Sequence, residues 1–181
     1  MNWRQLLLFA LLVLFSCNKY KISKSDLEWQ PYEKGDVLIF ESNKGEKDTI
    51  VVKSIDSYVN PDDPLALFPD KTEILFVMSQ KNRSLLFMKA YSGGTYFRFE
   101  IRLGNNDLRY ASTVLYVEEL ANNDEGCIKF EAIENYDNMK DIPSDLKSIT
   151  WSKELGYLAL EFKGDYIWTL KSFVREGKEL L

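Results

Sequence analysis

The chain has no histidine and only two cysteines, Cys17 and Cys127. Imidazole supplies the base in Ser-His and Cys-His catalysis and a ligand in the usual zinc and copper sites, so these kinds of site are excluded. Carboxylate-only and Ser-Lys chemistry would still be possible, but the chain carries no recognisable motif for either. We therefore expect no metal, no cofactor and no enzymatic activity, with a carboxylate-based hydrolase as the least favoured alternative.

A long apolar run is also missing. The longest, residues 6–15, is well short of the roughly 20 residues that a transmembrane helix needs. It follows a short polar head with one cation, Arg4, and it ends at Ser16 and Cys17, an order typical of a secretory signal peptide. Residues 14–17, Leu-Phe-Ser-Cys, resemble a lipobox, in which the cysteine is acylated, although Phe15 replaces the usual small residue. We predict a signal peptide over residues 1–16 and lipidation of Cys17.

Residues 17–28 are predicted to be the lipidated cysteine and a flexible tether, because the segment is polar and rich in lysine and serine. The tether would reach at most about 40 Å when extended and roughly 18 Å as a flexible coil. The globular domain would then lie close to the membrane surface.

Residues 29–181 are predicted to form a single antiparallel β domain, either a curved half-barrel or a sandwich, with minor helix. Apolar residues alternate with polar ones over residues 95–103, which indicates a strand with one buried face. Short helices are expected over 116–122 and 172–181, and proline-bearing loops over 56–71 and 135–145. Further strands are expected over residues 37–40, 49–55, 74–78, 85–88, 108–117, 128–133, 146–151, 157–162 and 166–170.

Aromatic residues make up 14% of the chain, and they supply the candidate binding residues. Trp29, Trp151 and Trp168 could line an apolar or sugar-stacking site, but aromatic residues also pack strand faces, and we favour packing. Alternation places Cys127 on the strand face of Lys129, so we expect a partly exposed, unreactive thiol.

Acidic residues are concentrated in two loop segments, but their spacing does not match a calcium-binding loop. We expect them to be solvated. They are Asp62, Asp63 and Asp70 in one segment, and Asp137, Asp141 and Asp145 in the other.

Two short motifs resemble small outer-membrane lipoproteins of the Bacteroidota, a family of unknown function. Residues 29–40 match the pattern W-x-P-Y-x-x-G-D-x-L-x-F, and residues 151–156 are similar to a W-S-x-E-x-G turn near the C-terminus. The resemblance implies a location in the cell envelope and contributes no catalytic residue. Lysines rather than acids follow Cys17, which favours the periplasmic face of the outer membrane over the cell surface.

The net charge of −5 argues against a nucleic-acid partner. The leading hypothesis is a membrane-anchored envelope lipoprotein, a non-catalytic binding or structural module whose partner is an envelope protein or an apolar ligand. The alternative is a periplasmic carrier or chaperone for lipid or lipoprotein. A side-chain-filled core would favour the module, and a large apolar cavity would favour the carrier.

Overall fold

The computed structural model describes residues 19–61, 71–80, 84–92, 94–104, 109–116, 126–132 and 145–181. The predicted signal peptide, residues 1–16, and the predicted lipidation site Cys17 lie outside these ranges. Within them, no helix combines the length and the apolar character that crossing a membrane requires.

The described residues form strands in almost entirely antiparallel pairs, together with a helix of four residues, which confirms an all-β fold with minor helix. The sheet order is β7-β6-β5-β4-β3-β2-β11-β10-β9-β8, with β1 beside β4 and β12 beside β11. The elements are β1 (Lys19–Tyr20), α1 (Lys24–Leu27), β2 (Val37–Ser42), β3 (Lys47–Pro61), β4 (Lys71–Ser79), β5 (Ser84–Tyr91), β6 (Gly94–Leu103), β7 (Arg109–Tyr116), β8 (Cys127–Glu131), β9 (Leu146–Ser152), β10 (Gly156–Phe162), β11 (Tyr166–Arg175) and β12 (Lys178–Glu179).

The long strand β3 is shared by two parts of the sheet. Its residues 47–51 pair with β2, residues 52–61 pair with β4, and the register shifts between Val52 and Ser54. A register shift of this kind bends a strand. We call the second half of β3 with β4–β7 the first limb, and β2 with β8–β11 the second limb. The sheet curls into a half-barrel. Of the two predicted architectures, a half-barrel and a sandwich, the half-barrel is therefore the one observed.

The inner faces of the two limbs form the core. Alternate residues from Thr95 to Leu103 are buried and those between them are half-buried, which confirms the strand predicted over 95–103. Phe99 of the first limb lies with its ring centroid 4.8 Å from that of Trp151 and 5.1 Å from that of Phe130, both in the second limb. Aromatic contacts therefore join the limbs across the interior.

Two predicted elements are wrong. β3 continues to Pro61, where a loop was expected from residue 56, because proline at the end of a strand interrupts few ladder hydrogen bonds. Residues 172–181 are not helical: β11 and β12 form a hairpin whose turn carries Glu176 and Gly177, both at positive φ. The other predicted helix spans residues 116–122. Tyr116 is the last residue of β7, and residues 117–122 lie outside the described ranges.

The expected flexible tether is also corrected, because from Lys19 onward the chain packs on the domain. β1 pairs with the first residues of β4, and the backbone N–H of buried Ile22 donates to Glu73 at 3.1 Å. The hydroxyl of Ser23 accepts from the N–H of Asp26 at 3.1 Å and caps α1. We call residues 19–36 the N-terminal strap.

Candidate functional site

The three tryptophans proposed from sequence lie in the interior. Trp151 and Trp168 are fully buried, and Trp29 is 6% exposed. Buried indoles are not available for stacking on a ligand from solvent, so the packing interpretation fits their positions. The indole N–H of Trp168 has no hydrogen-bond acceptor among the described residues, so packing alone holds this ring.

Trp29 and Trp151 belong to the two sequence motifs, and the structure brings these motifs together. The indole N–H of Trp151 donates to the backbone carbonyl of Trp29 at 3.2 Å. The ring of Tyr32 lies edge-on to Trp151 with centroids 5.7 Å apart, and its hydroxyl accepts from the N–H of Tyr157 at 3.0 Å. Burial raises the pKa of the Tyr32 hydroxyl, so the side chain remains a neutral phenol.

We call the contact of Trp29 and Tyr32 with Trp151 and Tyr157 the junction. Charged contacts hold the strap on either side of it. Lys153, in the turn between β9 and β10, pairs with Glu28 at 2.5 Å and lies over the ring of Trp29, 5.7 Å from its centroid. At the other end, Arg175 of β11 binds Asp36 through two hydrogen bonds of 2.9 and 2.7 Å. These contacts identify the junction as an architectural element.

Arg175 also reaches two further groups of the strap. It donates to the carbonyl of Pro31 at 2.5 Å and forms an ion pair with Glu33 at 2.9 Å. The hydrogen bond with Asp36 raises the pKa of the Arg175 guanidinium, which is charged at physiological pH as arginine ordinarily is. The side chain of Asp36 is only 1% exposed, and this buried carboxylate depends on Arg175 for compensation.

The interior of the half-barrel is filled with side chains at the level of this junction. Trp151 and Tyr157 of the second limb have ring centroids 4.8 Å apart, edge to face. The hydroxyl of Tyr157 crosses to the first limb and donates to the carbonyl of Leu85 at 2.8 Å. Other fully buried side chains include Phe40, Phe97, Phe99, Phe162 and Phe173.

Acidic and thiol side chains are the candidate metal ligands in the part of the chain that the structure describes. No group of three or more carboxylate, thiol or imidazole side chains is placed there to hold a metal ion. The acidic residues singled out from sequence lie outside the described ranges, apart from Asp145. Cys127 is half-buried in β8, in agreement with the partial exposure expected from its position.

The outer face of the first limb carries a row of aromatic rings that sequence reasoning missed. We call it the aromatic stripe; its members are Tyr58, Phe76, Phe87, Tyr96 and Tyr91. Successive rings have centroids 5.7, 4.8, 5.7 and 6.4 Å apart, so the row crosses four neighbouring strands. Tyr58 is 48% exposed and the others are half-buried.

A signal for the stripe was present in the sequence. Five consecutive residues of β4, 74–78, and six of the eight residues of β5 are apolar, whereas a strand with one solvated face alternates. Phe76 and Phe87, on the outer face, are among the residues that break the alternation, and they pair directly in the ladder. Because this excess could equally have indicated a strand buried on both faces, the sequence alone did not distinguish an outer stripe from core.

No protein-family model, curated protein or solved structure matches this chain.

Proposed function

We propose that this chain is a bacterial outer-membrane lipoprotein of the Bacteroidota type. In this proposal Cys17 is acylated, the domain faces the periplasm, and the domain is a non-catalytic module that binds another protein of the envelope. A polar head, an apolar run and a cysteine follow one another as in a signal peptide, and this order and the resemblance to a lipobox support the acyl anchor. Lys19, Lys21 and Lys24 after the cysteine support the periplasmic face.

The aromatic contacts between the two limbs are the observation that favours a binding module over a carrier. A carrier encloses its apolar cargo between the limbs of a curved sheet, in a cavity of several hundred Å³. In this chain Phe99, Trp151 and Tyr157 meet in that position, and a hydrogen bond from Tyr157 to Leu85 joins the limbs. The contact surface for a partner is therefore expected on the outside of the sheet.

The aromatic stripe is the outer surface best suited to a protein partner. Tyrosine and phenylalanine are enriched at the centres of protein interfaces, where they bury a large area and lose little side-chain entropy. Charged residues border the stripe: Arg98 and Glu100 form an ion pair of 2.9 Å on the same strand as Tyr96. Apolar rings with a charged rim are the usual composition of a protein-binding patch.

The anchor is tested by acyl labelling of the full chain in cells. Cys17→Ala should accumulate as unprocessed precursor and lose the label, whereas the matched control Cys127→Ala should be processed and labelled like the wild type. Processing and labelling of Cys17→Ala would show that the lipobox interpretation is wrong.

The binding function is tested by co-purification of the full chain from detergent-solubilised membranes after chemical cross-linking. The double variant Tyr58→Ala/Tyr96→Ala should lose a specifically cross-linked envelope protein while it still unfolds cooperatively, with only a small decrease in melting temperature. Leu180→Ala, which changes an exposed leucine away from the stripe, should retain that protein. Equal recovery with both variants would contradict the role of the stripe. Stoichiometric lipid released on unfolding of the purified protein would favour the carrier instead.

A further inference from the structure

The start of β1 lies very close to the proposed acylation site. Only Asn18 separates Cys17 from Lys19, the first residue of β1, and two residues span at most about 7 Å. The headgroup region on each side of a bilayer is roughly 5–8 Å thick. If the acyl chains of Cys17 lie in the hydrocarbon, Lys19 is held at the level of the headgroups, although it already belongs to the sheet.

The pairing of β1 identifies which end of the half-barrel is held there. Lys19 pairs with Lys71 at the start of β4, and Lys71 pairs on its other side with Pro61 at the end of β3. The strap then passes the start of β6, where the hydroxyl of Thr95 donates to Asp26 at 2.7 Å. The ends of β3, β4 and β6 and helix α1 therefore lie on one side of the first limb, which we call the strap end.

From these positions we infer that the strap end rests on the phospholipid headgroup layer and that β3 runs away from the bilayer toward Lys47. The inference rests on the acylation of Cys17 that is part of the proposed function. It replaces a mobile domain on a tether with a domain held in one orientation on the membrane surface.

The side chains exposed at the strap end suit a headgroup layer. Leu27 is 40% exposed and Val59 is 45% exposed, and both are large apolar residues of the kind that enter the boundary between headgroups and acyl chains. Four exposed lysines surround them, and lysine extends its ammonium group toward lipid phosphates while its stem stays in apolar surroundings. These lysines are Lys19, Lys21, Lys24 and Lys71.

The lysines make no ion pair with any described residue, so they are available to phosphate groups. The sequence between β3 and β4 also contains Asp62, Asp63 and Asp70, so the strap end as a whole does not carry a large positive charge. Charge therefore does not supply the affinity. The acyl chains do, and the short link from Cys17 to β1 sets the orientation.

The test uses the full chain, processed in cells and reconstituted into vesicles of phosphatidylethanolamine and phosphatidylglycerol. In a Cys127→Ser background, Val59→Cys and Lys47→Cys place a fluorophore near the two ends of one strand. Both positions are exposed, and the strand geometry separates them by at most about 40 Å. Leu27→Cys on α1 and Lys44→Cys in the β2–β3 turn form a second pair on different elements.

Lipids that carry a nitroxide in the headgroup should remove about half or more of the emission at positions 59 and 27, because quenching needs close approach to the headgroups. They should leave the emission at positions 47 and 44 nearly unchanged. Equal quenching within both pairs, or stronger quenching at 47 and 44, would overturn the proposed orientation. Thermal unfolding of the four labelled variants checks that the fold is retained.

The mass of the purified protein separates failure of this inference from failure of the proposed function. A mass without acyl chains would remove the anchor and, with it, the orientation. An acylated protein with equal quenching at both ends would leave the anchor in place and overturn the orientation alone.

Discussion

The hydroxyl of Tyr32 lies directly against the backbone of Gly156, more than 120 residues further along the chain. A β-carbon built on Gly156 would stand 2.0 Å from that oxygen and 2.4 Å from the ring carbon that bears it. Gly156 also has φ +76, a conformation that favours glycine. The absence of a side chain at Gly156 therefore lets the strap pass close to the β9–β10 turn, and the Tyr32 hydroxyl binds the next N–H, that of Tyr157.

Gly156→Ala is expected to destabilise the protein by about 2–5 kcal/mol, because positive φ costs an alanine about 1–2 kcal/mol and the clash with Tyr32 adds an overpacking cost. Gly164→Ala is the matched control: Gly164 has φ +77 and open space around it, so only the backbone cost should remain. Denaturant unfolding of both variants measures the difference. Equal losses of stability would show that the contact with Tyr32 does not matter.

The buried phenol of Tyr32 predicts a loss of stability in alkali. Burial raises its pKa in the folded protein, whereas the unfolded chain ionises near pH 10. The stability that the neutral Tyr32 hydroxyl contributes is therefore fully present below about pH 10. Above that pH the free energy of unfolding decreases, because the unfolded state binds fewer protons than the folded state. One such group changes the free energy of unfolding by about 1.4 kcal/mol per pH unit. Tyr32→Phe should reduce the decrease in the free energy of unfolding between pH 10 and 11. An unchanged decrease would contradict the conclusion that the Tyr32 phenol is buried and neutral.

Trp151→Ala should cost about 3–5 kcal/mol, because it empties a fully buried site between the two limbs and removes the donor to the Trp29 carbonyl. Tyr58→Ala is the comparison, since an aromatic side chain that is 48% exposed should cost far less. Thermal and denaturant unfolding compare the two variants. Similar, small effects would mean that Trp151 does not pack as the structure shows.

The strands with one buried face were predictable from sequence because their pattern is local. Residues 95–103 alternate clearly, and β6 follows that range closely. The C-terminal hairpin was missed because two residues at positive φ, Glu176 and Gly177, define it, and a polar stretch of this composition is equally compatible with a helix. The backbone conformation of these two residues therefore determines that the segment forms a hairpin and not a helix.

The strap and the junction were not predictable, because contacts between distant residues create them. Lys19 and Lys21 alternate with Tyr20 and Ile22, a short strand-like pattern that the polar composition concealed. Nothing local indicates that Ile22 reaches Glu73. The two sequence motifs lie more than 110 residues apart, and nothing in the sequence indicates that they meet, whereas in the structure the indole of Trp151 donates to the carbonyl of Trp29.

The ion pair between Asp36 and Arg175 gives the last prediction. Arg175→Leu should destabilise the protein by about 3–5 kcal/mol, because it leaves the buried carboxylate of Asp36 without its cation. Arg175→Leu combined with Asp36→Asn should be less damaging than the sum of the single changes, with a coupling of about 1–3 kcal/mol, since the double variant contains no unpaired buried charge and the Glu33 carboxylate that loses its partner is solvent-exposed. Lys47→Ala, which removes an exposed pair with Glu41, serves as the control and should cost at most about 1 kcal/mol. Urea unfolding of the wild type, the two single variants and the double variant measures the free energies of unfolding from which the coupling is calculated. Strictly additive losses would show that the two side chains stabilise the strap independently, in contradiction to the pair of hydrogen bonds that joins them.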